Sequence, residues 1–190
     1  MPLTADRYIH GIYEIGEWTA KKGAVDTNQY DPTNVYTLTP WATTDETGAV
    51  IRPTVSKVDL YGGQSTALLD SFINQVAAQL QTNFVSGTLD IIKKMWGLPD
   101  AAHTGDLSAE TPTEEVLRVN AATIGTQERQ MYVKAMGGGD GPRTWYFPRC
   151  KPSDLSELAI SKTDYLKPGG AFDLYENADR DLFWIIDAAA

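Results

Sequence analysis

Between residues 127 and 187 apolar side chains recur at alternate positions, in short runs separated by turn-forming residues. Residues 128–136 (ERQMYVKAM) set Met131, Val133 and Ala135 against Gln130 and Lys134. Residues 143–151 (RTWYFPRCK) put Trp145 and Phe147 on one face with Arg143 and Arg149. Residues 157–161 (ELAIS), 171–176 (AFDLYE) and 182–187 (LFWIID) continue the series, and GGGDGP at 137–142 separates its first two members. A period of two is the signature of a strand with one covered face, because successive Cβ atoms leave opposite sides of the sheet. The aromatic and β-branched content suits that pleated surface. The pattern predicts a chain that ends in an antiparallel β-meander.

The other bounds come from length and charge. A chain of 190 residues is long enough to bury a sizeable core and favours one domain, or one domain with an elaborated arm. Sixteen basic against twenty-five acidic residues give a net charge of −9, a poor balance for gripping nucleic acid phosphates. The only cysteine, Cys150, excludes an intrachain disulfide and a cysteine-based metal site. No apolar run approaches the ~18 residues of a membrane span. The first residues lack the basic and apolar segments of a signal peptide, so the expectation is a soluble protein made in a cytoplasm.

In chain order, residues 1–50 look least regular. Tyr8, Ile9, Ile12, Tyr13, Ile15 and Trp18 suggest a short strand interrupted by Gly11 and Gly16, and residues 20–33 read as a loop. Residues 35–41 suggest another short strand, and DETG at 45–48 a turn. The whole segment reads as a loop-rich arm. Residues 54–61 are strand-like and Gly62-Gly63 ends them, while 65–69 could add a short strand. Residues 72–85 (FINQVAAQLQTNFV) fit two patterns. As a strand, Val76, Ala78, Leu80, Thr82 and Phe84 oppose Gln75, Gln79, Gln81 and Asn83; as a helix, Phe72, Ile73, Val76, Ala77 and Leu80 form a stripe. Residues 88–96 (TLDIIKKMW) predict a helix: Leu89, Ile92 and Trp96 share a face, Asp90 and Lys94 are an i,i+4 pair, Ser86 or Thr88 can cap it, and Gly97 and Pro99 stop it. A polar loop over 100–115 then leads to residues 116–124, which are expected to begin the final sheet.

No residues form a catalytic, metal-binding or cofactor-binding pattern. His10 and His103 lack a second histidine at metal spacing. Cys150 reads as a buried structural thiol. GGGDG at 137–141 precedes a proline and a strand instead of the helix N-terminus a phosphate loop needs, and NADRD at 177–181 lacks the length of a calcium loop. Trp145 and Trp184 read as core. The expected core is Trp145, Phe147, Phe172, Leu174, Trp184 and Ile186. The missing catalytic set moves weight from enzyme to binding or assembly.

The order of elements carries a resemblance. TNFVSGTLDIIKKMWG (82–97), a polar loop, and then YFPRCKPSDLSELAISKTDYLKPGGAFDLYENADRDLFWIIDA (146–188) follow one another. Over residues 55–187 this resembles the major tail tube proteins of long-tailed, non-contractile bacteriophages, with 146–149, 157–164, 171–175 and 182–187 matching in order. The resemblance implies a mainly β fold, an antiparallel β-sandwich or barrel with one packed helix at about 88–96 and long loops or arms, forming a single domain over 1–190. It implies hexameric rings stacked into a hollow tube, walled by hairpins of neighbouring subunits. Residues 72–85 would then be a strand paired with 54–61 or with a neighbour, and Gln75, Gln79, Gln81 and Asn83 would face the lumen. Its implied partners are further copies, a tape-measure protein, a tail terminator and distal tail or baseplate proteins, with double-stranded DNA passing without specific binding. The place implied is the virion, after assembly in the host cytoplasm, and no membrane is involved. Residues 1–50 would bridge subunits, so that deleting them leaves a folded monomer that cannot build tubes. The alternatives are a tail terminator or neck ring protein, a β-sandwich that binds carbohydrate through Trp145 or Trp184, and an enzyme built on Arg143, Arg149, Asp173 and Asp181.

Overall fold

The computed structural model describes residues 13–20, 36–61, 68–85, 87–105, 115–135, 143–155 and 169–187. These form strands β1 (Tyr13–Ala20), β2 (Tyr36–Tyr61) and β3 (Leu68–Phe84), helix α1 (Leu89–Met95), and strands β4 (His103–Gly105) and β5 (Glu115–Leu117). Strands β6 (Arg129–Ala135), β7 (Arg143–Leu155), β8 (Gly169–Leu174) and β9 (Trp184–Asp187) follow. Every pairing is antiparallel. The main sheet runs β6-β1-β2-β3-β8-β7, and β7 pairs back to β6, closing a barrel. Closure reduces the sheet edges that would otherwise seek a partner, leaving those where β2 and β3 run past their neighbours. Among the described residues the fold is thus mainly β with one α-helix, as expected.

The closing segment is not a meander. β8 lies between β7 and β3, and β9 returns to β7, pairing Trp184 with Tyr146 and Asp187 with Arg143. Local alternation identifies strands but carries no information about which distant strand completes a barrel. The expected strand at 157–161 and the GGGDG tip lie outside the described residues. β7 also runs further than expected, through Pro152 to Leu155, with a bulge between Pro152 and Asp154 that accommodates the proline. Residues 116–124 do not begin the final sheet. β5 pairs with β4 in a separate two-stranded sheet, and 121–125 form turns before β6.

Two apolar clusters lie on opposite sides of the barrel wall. Ile15, Ala78, Leu80, Phe84, Met131, Val133, Phe147, Cys150, Phe172 and Leu174 fill the inside, joined by Ile91 and Met95 of α1. Trp18, Tyr132 and Tyr146 form the second cluster with Tyr36, Leu38, Trp184 and Ile186. Met131 and Val133 belong to the first and Tyr132 between them to the second, so β6 is covered on both faces. The expected core residues are therefore divided: Phe147, Phe172 and Leu174 are buried inside, Trp145 packs on that group, and Trp184 and Ile186 belong to the outer one. In that outer group the Trp18 ring meets Tyr36 at 5.4 Å and Trp184 at 5.6 Å. A shift of register between Arg129↔Cys150 and Met131↔Phe147 turns Cys150 inward after Phe147, in the place where strict alternation puts Arg149.

Helix α1 follows its local signals. The Thr88 hydroxyl accepts from the Ile91 amide at 3.3 Å, and Asp90 pairs with Lys94 at 2.6 Å and with Lys93 at 2.8 Å. Gly97 takes φ +56°, the left-handed position that ends a helix without the penalty a Cβ would incur. The face differs from the expected one. Ile91, Ile92 and Met95 are buried, while Leu89 and Trp96 are only partly covered.

The first fifty residues are not an arm where they are described. β1 sits between β6 and β2, and Ile15 and Trp18 are fully buried. Removing residues 1–50 would take out a barrel strand, so a folded monomer without them is not expected. The DETG segment is not a turn either. β2 is one strand of 26 residues that pairs first with β1 over 36–43 and then with β3. Between Thr44↔Phe84 and Ala49↔Thr82, residues 45–48 stand opposite Asn83 alone. The turn composition is absorbed as a large bulge within the barrel part of β2, a device that bends a strand and re-aims it.

Candidate functional site

Beyond the Pro53↔Ala78 pair, β2 and β3 leave the barrel together. β8 pairs with β3 only over 78–83, and β1 pairs with β2 only up to Thr43. Residues 54–61 therefore pair with 68–77 and, among the described residues, with nothing else. The result is a two-stranded ribbon roughly 25 Å long at about 3.3 Å per residue. A lone two-stranded hairpin is at best marginally stable in water. Residues 52–59 are exposed throughout. Val55 and Val76 face each other across the ribbon at 46% and 42% exposure, and Ile73, opposite Lys57, reaches 59%. Val55 and Val76 continue the row of Ile51, Ala78 and Leu80 that lines the barrel, so an apolar stripe passes from a covered interior onto an uncovered ribbon.

The other face is polar. Ala78, Leu80, Thr82 and Phe84 are buried, which leaves Gln79, Gln81 and Asn83 on the outside of the barrel. Residues 72–85 therefore resolve as a strand paired with β2. The Gln79 amide donates to Asp173 at 3.2 Å and Ser153 at 3.0 Å, and Gln81 donates to Gln79 at 2.9 Å. Gln75 lies opposite Ser56 on β3, and its side chain is outside the described residues. Register adds neighbours that reading one strand at a time misses. Arg52, Gln79, Asp173 and Lys151 form a row across β2, β3, β8 and β7. The absence of Lys and Arg over 65–89 is thus offset by cations from other strands, which flank an amide and an anion at the two ends of the row.

Where β3 parts from β8, a groove of about 450 Å³ opens, lined by Val76, Ala77, Leu174, Tyr175, Glu176 and Leu182 among others. A smaller apolar cavity of about 130 Å³ lies inside the barrel among Tyr13, Ala49, Ile51, Leu80, Val133 and Trp145.

The residues considered for catalysis are engaged in structure and do not converge. Arg149 makes two hydrogen bonds to Glu128, at 2.6 and 3.1 Å, and donates to the Glu176 carbonyl. The Arg149 bond holds the Glu128 carboxyl below its usual range, against the opposing effect of burial. That pairing adds stability above the ordinary carboxylate pKa, and the contribution is lost as pH falls through the lowered value. Asp181 accepts from the Trp184 indole at 2.8 Å, and the Asn177 side chain accepts the amides of Asp179 and Asp181, so the NADRD segment is a self-bonded turn. Among the described residues no group of three or more His, Cys, Asp or Glu is placed to hold a metal ion, and no helix is long and apolar enough to cross a membrane. His10 lies outside the described residues.

Cys150 is fully buried, and burial pushes its thiol pKa well above the ordinary value. An aromatic disulfide reagent is therefore expected to leave the folded protein unlabelled and to react with one thiol per chain in denaturant. Stoichiometric labelling of the native protein within minutes would contradict that placement.

Compared with known proteins, the chain matches no family model and no curated sequence.

Proposed function

We propose that this chain is a structural subunit that associates with copies of itself through the projecting ribbon, building stacked rings that enclose a channel. It is the arrangement implied by the likeness to phage tail tube proteins, with double-stranded DNA as the cargo of the channel. The observation that carries the reading is the ribbon itself: a long hairpin with exposed Val55, Val76 and Ile73 and, among the described residues, two unpaired edges. Covering three such half-exposed side chains contributes about 1 kcal/mol each, and strand pairing at the edges satisfies their open amides and carbonyls. The outer face of β3 with Gln79, Gln81 and Asn83 supplies a polar, mixed-charge wall suited to a polyanion that must slide past. In this reading the chain is not an enzyme.

Electron microscopy and sedimentation of the purified protein test the proposal. Hollow tubes at high concentration are the expected result; single rings instead would favour the capping, terminator-type reading. A protein that stays monomeric at every concentration would remove the proposal. Val55→Lys combined with Val76→Glu, an opposite-charge pair across the ribbon, should abolish particles while leaving the far-ultraviolet spectrum and melting temperature close to wild type, since both side chains already meet solvent.

A further inference from the structure

Among the described residues the ribbon has two free edges of similar length on opposite sides: β2 over 49–61 and β3 over 68–77. An incoming strand that pairs with the β3 edge runs directly into the end of β8, because β8 occupies β3 from Ala78 onward. The groove beside Val76 and Ala77 lies at that junction. Its charged members are acidic, Asp173 and Glu176. The Asp173 carboxylate already accepts from Gln79, and Glu176 is exposed. Of the nearby cations, Arg149 bonds the Glu128 carboxylate and the Glu176 main-chain carbonyl, and Lys151 lies 3.8 Å from Glu128 and 5.6 Å over the groove-lining Tyr175 ring.

The free β2 edge carries the complementary charge. Arg52 is exposed just where β2 leaves the barrel, one residue beyond the buried-side Ile51 and before the ribbon proper. Within one chain Arg52 sits opposite Gln79, with β3 between it and β8. In a neighbour whose β2 edge lies along β3, Arg52 reaches the position where β8 ends.

Resting on the self-association reading above, we infer that the groove at the end of β8 receives the β2 edge of the next copy, with Arg52 of that copy paired to Glu176. The contact is head-to-tail: one copy gives its β2 edge and the next gives its β3 edge and groove. Such a heterologous interface generates rings or filaments. Val76, Ala77, Leu174 and Leu182 line the same groove and give the incoming strand apolar surface to cover.

The test uses full-length protein with Arg52→Glu and Glu176→Arg, alone, as a double variant and as an equimolar mixture of the two singles. Assembled mass is read by sedimentation, and folding by circular dichroism and thermal melting. Each single variant should fold normally and need about tenfold or more higher concentration to assemble, in the range of close interfacial charge pairs. The mixture should recover assembly. When the two variants alternate, every contact joins opposite charges, half of them in the wild-type sense and half reversed. The double variant should recover as well, with every pair reversed. Singles that assemble like wild type, or a mixture as defective as its components while both remain folded, would overturn the groove assignment and leave self-association standing. A wild-type protein that never assembles would overturn both.

Discussion

Gly16→Ala is expected to prevent the barrel from closing. A Cβ at this position would overlap the Thr39 carbonyl oxygen and lie 2.8 Å from the Pro40 Cα and 2.7 Å from the Tyr132 ring. Two of those neighbours are backbone, so no change of rotamer relieves the contact. Gly16 stands at the irregularity in which β1 shifts register on β2, between Ile15↔Ala42 and Gly16↔Pro40. The extra residue, Trp41, lies on β2, and the shift lets Ala42 pack with Ile15 on the barrel side while Leu38 joins Trp18 in the outer aromatic cluster. Moving β1 aside disturbs both clusters at once. The expected loss is about 3 kcal/mol or more, at the upper end of overpacking effects, read as a collapse of the urea midpoint or as insoluble protein. A variant with wild-type stability would mean that β1 is not held as described.

The second large effect is expected at Arg129. Its side chain is only 9% exposed; Nη1 meets Glu17 at 2.6 Å and Nη2 donates to the Leu98 carbonyl at 3.1 Å. One guanidinium thus ties β1, β6 and the segment after α1 together. Arg129→Met keeps much of the volume and leaves a carboxylate and a carbonyl without their donor. Removing one member of a buried ion pair costs about 3–5 kcal/mol, and the partial exposure of Glu17 brings the expectation to about 2–3 kcal/mol. Arg129→Lys should recover little, because an ammonium cannot span both acceptors in one plane. The check is chemical denaturation of the three proteins; a lysine variant as stable as wild type would dismiss the two-acceptor account.

What could be read ahead of the structure depended on the range of the signal. Helix α1 was legible because every determinant lies within ten residues: the Thr88 cap, the Asp90–Lys94 pair and the stop at Gly97. Strands β6, β7 and β8 were legible from alternation. The partner of each strand was not, since nothing in residues 169–174 encodes that one neighbour lies at 78–83. DETG failed for the same reason: its composition favours reversal, and only the pairing with β3 on both sides of 45–48 holds it to a bulge. Alternation puts Tyr132 on the face of Gln130 and Lys134, and a period of two cannot distinguish water from the second apolar cluster found there. The polar row on β3 was correct for Gln79, Gln81 and Asn83, and incomplete until register brought Arg52 and Lys151 beside it.

The unbroken run of β2 has a mechanical consequence. One covalent strand is both barrel stave and outer ribbon, so tension along the ribbon passes straight into the barrel. There it first loads the hydrogen bonds of residues 49–53 to β3 in shear, many at a time, instead of opening them one by one. Sideways displacement meets a softer element, the surplus residues 45–48. The subunit is thus stiff along its strand axis and compliant across it, as a stave that must hold length while a cylinder flexes.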